Sequence, residues 1–372
     1  MFGAVFTLRV LHAESSPTLQ SSSKSRQRPC QESITLTMIT PKSYTLPSVL
    51  TALCCLSMAF ANRHSTCDGC FCIPPADGVC PPEEPSTEFS FIDNLFNVTW
   101  NNPIGLSCNP YEDAGCRLDF VNNTEEDFTQ EPDRDNFFCV AEIKAGNACP
   151  SETSYTLQTY TKTEVESLES TDETTYIVTH VGPCGACSAL QDLAVYLEVG
   201  SDLRSRSTNC GAQVLNSIEA GRTCYREDLG FTDGCAEIWV WNSVTTREFC
   251  LSVCAEFLFS GDANNGPGPE CALAECLQCD ETNSGAIFQQ YAARSRRASG
   301  ILTSIIRNCD EMVNLMQYDP CAAPDTIPKP AEQIANLAFN TTFQEEDDDT
   351  SGTGHTSIAS FVLSLILLVS FF

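Results

Sequence analysis

The sequence predicts an α+β, disulfide-rich fold, with a cysteine-rich, loop- and strand-bearing N-terminal part and a mainly helical, disulfide-stapled C-terminal part. Three observations carry this. The chain holds 23 cysteines in 372 residues, a density that in a secreted protein reads as a disulfide framework. Two central segments, Tyr155 to Thr163 and Thr174 to Val181, are rich in β-branched and aromatic residues. Beyond them, apolar residues recur at helical spacing to about Gln317.

The N-terminal residues 1–37 are Ser- and Gln-rich with little pattern, and read as a gene-model extension or a leader. Residues 38–61 have the layout of a signal peptide: Met38 as start, Lys42 as the charge, an apolar run from Leu46 to Phe60, and Ala59-Phe60-Ala61 as the small-x-small cleavage site. Asn62 is then the first mature residue. This cut removes Cys30, Cys54 and Cys55 and leaves 20 cysteines, an even number that allows ten bonds.

Residues 62–150 form a cysteine-rich, loop-rich region opening with Cys67-Asp68-Gly69-Cys70-Phe71-Cys72. The scarcity of histidine and the oxidising route point to small disulfide loops, not to zinc. No metal site and no cofactor is expected. Residues 151–327 read as a strand pair followed by a helical domain. The acidic stretch Glu164 to Glu173 between the strands is a hairpin loop or a continuation of the first strand. Leu190, Leu193, Ala194 and Leu197 mark the first helix. Thr232 or Asp233 caps a second, running to about Phe259 with Ile238, Trp241, Val244, Leu251, Cys254 and Leu258 on its apolar stripe and Gly261 at its end. A third stripe runs from Phe288 to Met316, with Gly300 as a break. The cysteines among these faces suggest helices stapled to one another.

Residues 328–351 read as an acidic stalk. Residues 352–372 complete a glycosylphosphatidylinositol (GPI) attachment signal: small residues around Asp349, Ser351 and Gly352, a polar spacer, and an apolar end from Ile358 to Phe372 with no basic residue behind it. A short C-terminal membrane segment is the alternative, although a spanning helix needs ~20 apolar residues. The membrane, through an anchor or this tail, is one expected partner. An extracellular ligand of unspecified chemistry is the other. Sequons at Asn97, Asn122 and Asn340 fit the same compartment.

The net charge is −29, and the first 61 residues contribute +3, so the remainder carries −32. So acidic a surface repels nucleic acid and anionic lipid. After Ala61 the histidines are His64, His180 and His355, which disfavours most histidine-dependent hydrolases and metalloenzymes. Asp262-Ala263-Asn264-Asn265-Gly266-Pro267 lacks the ligand spacing of a calcium loop and reads as a plain loop.

Two motifs remain. Arg294, Arg296 and Arg297 form the one dense basic cluster, phased beside the apolar stripe and so solvated, as a candidate anion site or a dibasic processing site. Cys184-Gly185-Ala186-Cys187 follows a predicted strand and opens a predicted helix, where the helix dipole lowers a thiol pKa and His180 would add to the effect. Over fewer than thirty residues this strand–CxxC–helix pattern resembles the thioredoxin-superfamily active site. The resemblance implies a secreted thiol–disulfide oxidoreductase with Cys184 and Cys187 as its catalytic pair. In a chain with so many cysteines, two structural half-cystines also arise at this spacing. The leading expectation is a secreted, lipid-anchored, cysteine-rich surface glycoprotein with a binding, adhesive or structural role. No catalytic motif is strong enough to predict an enzyme.

Overall fold

The computed structural model describes residues 70–339, except 76–78, 82–83, 87, 121–135, 145–147, 261–262 and 268–269. Every described residue belongs to one compact unit. The fold is α+β and disulfide-rich, with a helical C-terminal part.

The sheet is built from β1 (Thr99–Trp100), β4 (Phe137–Lys144), β5 (Ser154–Thr161) and β6 (Thr175–Val181), in the order β1-β5-β4-β6. β4 runs antiparallel to both β5 and β6, and β1 is parallel to β5. β2 (Ile104–Leu106) and β3 (Leu118–Phe120) form a separate antiparallel ribbon. The expected strand pair β5/β6 is therefore corrected: each strand pairs with β4, which lies between them. The acidic connection is neither hairpin nor strand. It holds α2 (Lys162–Ser167), capped reciprocally by Thr161 and Glu164.

β4 is buried on both faces. Cys139, Ala141 and Ile143 join Tyr155, Leu157 and Ile177 in the main core, under α3 (Leu190–Val199) and the other helices. Phe138, Val140 and Val178 face the other way, against Val165, Leu315 and Ile334. α1 (Ile92–Asn97) inserts Leu95 into the main core.

All four residues of the first predicted helical stripe are buried in α3. α4 (Leu203–Val214) and α5 (Ile218–Thr223) follow. The long helix α6 spans Asp233–Ser260, and its cap is Thr232, whose Oγ1 accepts from Cys235 N. Ile238 is buried as expected, whereas Leu251 is 54% exposed. The side chain of Leu258, and Gly261, lie outside the described residues.

The third predicted helix is largely overturned. α7 (Glu275–Asp280), a π segment (Glu281–Gly285) and α8 (Ala286–Ala292) make one short helical run. The chain then turns at Ala293, φ 63°, and again at Gly300, φ 67°. A Cβ at Gly300 would fall 2.0 Å from Leu315 O, so only glycine fits there. From 301 to 316 the chain is irregular apart from a 3-10 turn at Cys309–Glu311, and Asn308 bridges Ile73. Leu315 and Met312 are still buried, but in sheet and loop contacts rather than on a helix.

Disulfides staple this frame. Cys139–Cys184 and Cys187–Cys235 tie the sheet, the loop after β6 and α6. Cys250–Cys279 and Cys254–Cys276 form two rungs between α6 and α7. Cys72–Cys309 and Cys149–Cys321 join early and late segments. Cys70–Cys80, Cys108–Cys116 and Cys210–Cys224 close short loops. Every described cysteine is disulfide-bonded, Cys271 included.

Candidate functional site: a polar centre and an adjoining cleft

The CxxC segment lies at a buried junction. Gly185 packs so closely on the 291–293 backbone that an added Cβ would lie 2.6 Å from Ala293 Cβ and 2.7 Å from Tyr291 O. Ala186 N and Cys187 N donate to Tyr291 O and Ala292 O. Cys184 is bonded to Cys139 and Cys187 to Cys235, and both are buried. A redox pair needs two sulfurs that bond each other and an exposed thiolate. These two satisfy neither condition, which corrects the thioredoxin-like reading. His180 is fully buried; its Nδ1 lies 2.9 Å from Val181 O and its Nε2 2.8 Å from Ser188 Oγ, which also accepts from Gly185 N. The imidazole therefore has a bonding role inside the junction.

Arg294 is corrected too. It is 1% exposed, not solvated. Arg294 N donates to Ala292 O, closing a γ-turn about Ala293 that swings the side chain inward. Its Nε, Nη1 and Nη2 donate to Cys187 O, Thr179 O and Ser188 O. Burial lowers its pKa to about 10, which leaves it charged at neutral pH, with Asp192 opposing the shift. Asp192, on α3, accepts from Thr232 N and Oγ1 at the start of α6. Burial raises its pKa to about 7, against those hydrogen bonds and Arg294. One buried centre thus locks β6, the CxxC loop, α3, α6 and the 291–299 segment together.

The same segment then emerges into a cleft of about 170 Å³. One wall is α6, which presents Trp239 and Asn242 three residues apart, on one face. The opposite wall is the α7–π–α8 run, with Asp280, Glu281 and Phe288. Arg296, Arg297 and Arg307 close it. Trp239 and Phe288 meet edge to face, centroids 4.8 Å apart. Arg307 is ion-paired with Glu281, and Arg297 with Glu311. Arg296 Nη1 donates to Gly200 O at 2.6 Å, and burial lowers its pKa to about 10. Thr246 and Ser284 hydroxyls hydrogen-bond Asp280. π segments are frequent at functional sites, and this one contributes Glu281 and Gly285 to the cleft.

Of the basic cluster, then, Arg296 and Arg297 line the cleft and Arg294 does not. Asn97 is exposed at the end of α1, its Nδ2 donating to Asp93 O. Asn122, Asn340, Asp349, Ser351 and Gly352 lie outside the described residues. The sequence reading placed Phe288 on an apolar core stripe and missed Trp239, Asp280 and Arg307. The helical repeat of Trp239, Asn242 and Thr246 was the available signal, one position away from the stripe assigned to the core. No group of three or more His, Cys, Asp or Glu among the described residues is placed to hold a metal ion.

No curated protein and no solved structure matches the chain. Residues 218–315 match the model of a family of unknown function, DUF8771. That segment runs from α5 to Leu315 and contains every residue lining the cleft.

Proposed function

We propose that the protein is a secreted, cell-surface glycoprotein, anchored by GPI between Asp349 and Gly352, whose cleft serves a binding or adhesive role. The observation that supports binding is the cleft itself: aromatic rings beside partly buried charges, all inside the family-matched segment. The nine disulfides among described residues fit an extracellular or secreted protein. The small-residue, spacer and apolar-tail layout supports the anchor. No helix among the described residues is long and apolar enough to cross a membrane. Exposure of Asn97 and Thr99 supports glycan addition there.

Anchoring is tested by phosphatidylinositol-specific phospholipase C, which should release the protein from intact cells. Recovery of peptides covering Phe361 to Phe372 from the mature membrane form would instead favour a short C-terminal membrane segment. Mature chains should begin at Asn62. Binding in the cleft should change tryptophan emission when small carboxylates are added, and Arg296→Gln should remove that change.

A further inference from the structure

The cleft carries two charges that its walls leave uncompensated. Arg307 and Arg297 have carboxylate partners. Arg296 makes one side-chain bond, to a backbone carbonyl, and no carboxylate pairs with it among the described residues. Asp280 is held by two hydroxyls, and no cation pairs with it among the described residues. Partly desolvated charges of this kind lose hydration without gaining an ionic partner.

Both charges line the same cleft as Trp239 and Phe288. Asp280 touches Thr246 on α6. Trp239 and Phe288 supply an apolar floor in the cleft.

We propose that the cleft binds a short peptide with free ends, its carboxylate on Arg296, its ammonium on Asp280 and an apolar side chain over Trp239 and Phe288. This rests on the cleft being the binding site proposed above. With Nη1 directed to Gly200 O, the Nε and Nη2 edge of Arg296 remains to fork a carboxylate.

The probes are Ala-Leu-Ala and Ala-Phe-Ala, titrated calorimetrically into the full chain purified from expressing cells. Acetylating the amino end or amidating the carboxyl end should each weaken binding at least tenfold. Asp280→Asn should erase the penalty for acetylation alone, and Arg296→Gln the penalty for amidation alone. Thermal melts establish that the variants fold, and if either does not, the blocked peptides on the parent protein still decide. Equal affinity for free and blocked peptides overturns the zwitterion assignment while leaving a binding cleft. No binding of any of these peptides overturns the assignment too, and the anchoring test is unaffected by either result.

Discussion

Arg294 and Arg296 stand two residues apart in one segment, yet the fold uses them in opposite ways. Arg294 is enclosed and spends its guanidinium on three backbone carbonyls from the loop after β6 and its approach. Arg296 gives one bond to Gly200 O and keeps the rest of its fork in the cleft. The γ-turn at Ala293 starts the difference by turning the first arginine inward. A basic cluster in a sequence is thus not one object. The backbone between its members decides which cation is a structural tie and which faces the cleft.

The largest expected effect tests that contrast. Arg294→Met strands the buried carbonyls of Cys187 and Ser188, leaves Thr179 O with Gln317 Nε2, and should cost ~3 kcal/mol or more, because uncompensated buried polar groups are expensive. Arg296→Met should cost about 1 kcal/mol or less, in the range of replacements outside the packed core. Similar losses in thermal denaturation would break the comparison.

Next comes the covalent part of the same junction. Cys184→Ser leaves Cys139 unpaired in the core and should cost ~2–5 kcal/mol, with retention in the secretory pathway. Normal secretion of that variant, with loss of a thiol-exchange activity present in the parent, would restore the redox reading.

A pH experiment sharpens the role of the centre. The pKa of Asp192 is raised to about 7 from an ordinary 3.8, so the folded state holds that proton more tightly than the unfolded one. Its stabilising contribution is full below about pH 4 and is lost as pH rises through about 7. Asp192→Asn should therefore flatten one component of the fall in Tm across that window. Other carboxylates are common to both proteins and cancel in the difference. An identical pH profile would remove Asp192 from the account.

The smallest effect is at the turn. Ala293 has φ 63°, where a Cβ is strained. Ala293→Gly relieves that strain but adds freedom to the unfolded chain, so the expected gain is up to about 1 kcal/mol. A clear loss would show that the Ala293 methyl packing against Gly185 outweighs the strain.

Periodicity read the locally determined elements well. α3 declared itself through Leu190, Leu193, Ala194 and Leu197, and α6 through Thr232 and Ile238. β4 escaped because a strand covered on both faces shows a continuous apolar run, without the alternation that marks a half-exposed strand. The 301–316 segment misled for the converse reason. Its apolar residues are spaced as on a helix, but Gly300, the Ile73 bridge and Cys72–Cys309 fix an irregular path that buries Met312 and Leu315 elsewhere. The cleft was half legible: Arg296 and Arg297 stood out as charge, while Asp280 and Trp239 gain meaning only when α6 and the α7–π–α8 run lie side by side. Cysteine spacing could not reveal that Cys184 and Cys187 have different partners, because pairing is set by the tertiary path.

The long-range bridges Cys72–Cys309 and Cys149–Cys321 also govern what a protease can achieve. A cut after Arg297, at the dibasic step, falls between residues 72 and 309 and between 149 and 321. Both fragments stay covalently joined, so the clipped protein migrates as one species until a reductant separates it. Cleavage there could loosen the cleft while leaving its two walls on the same molecule, a change visible on a reducing gel and hidden on a non-reducing one.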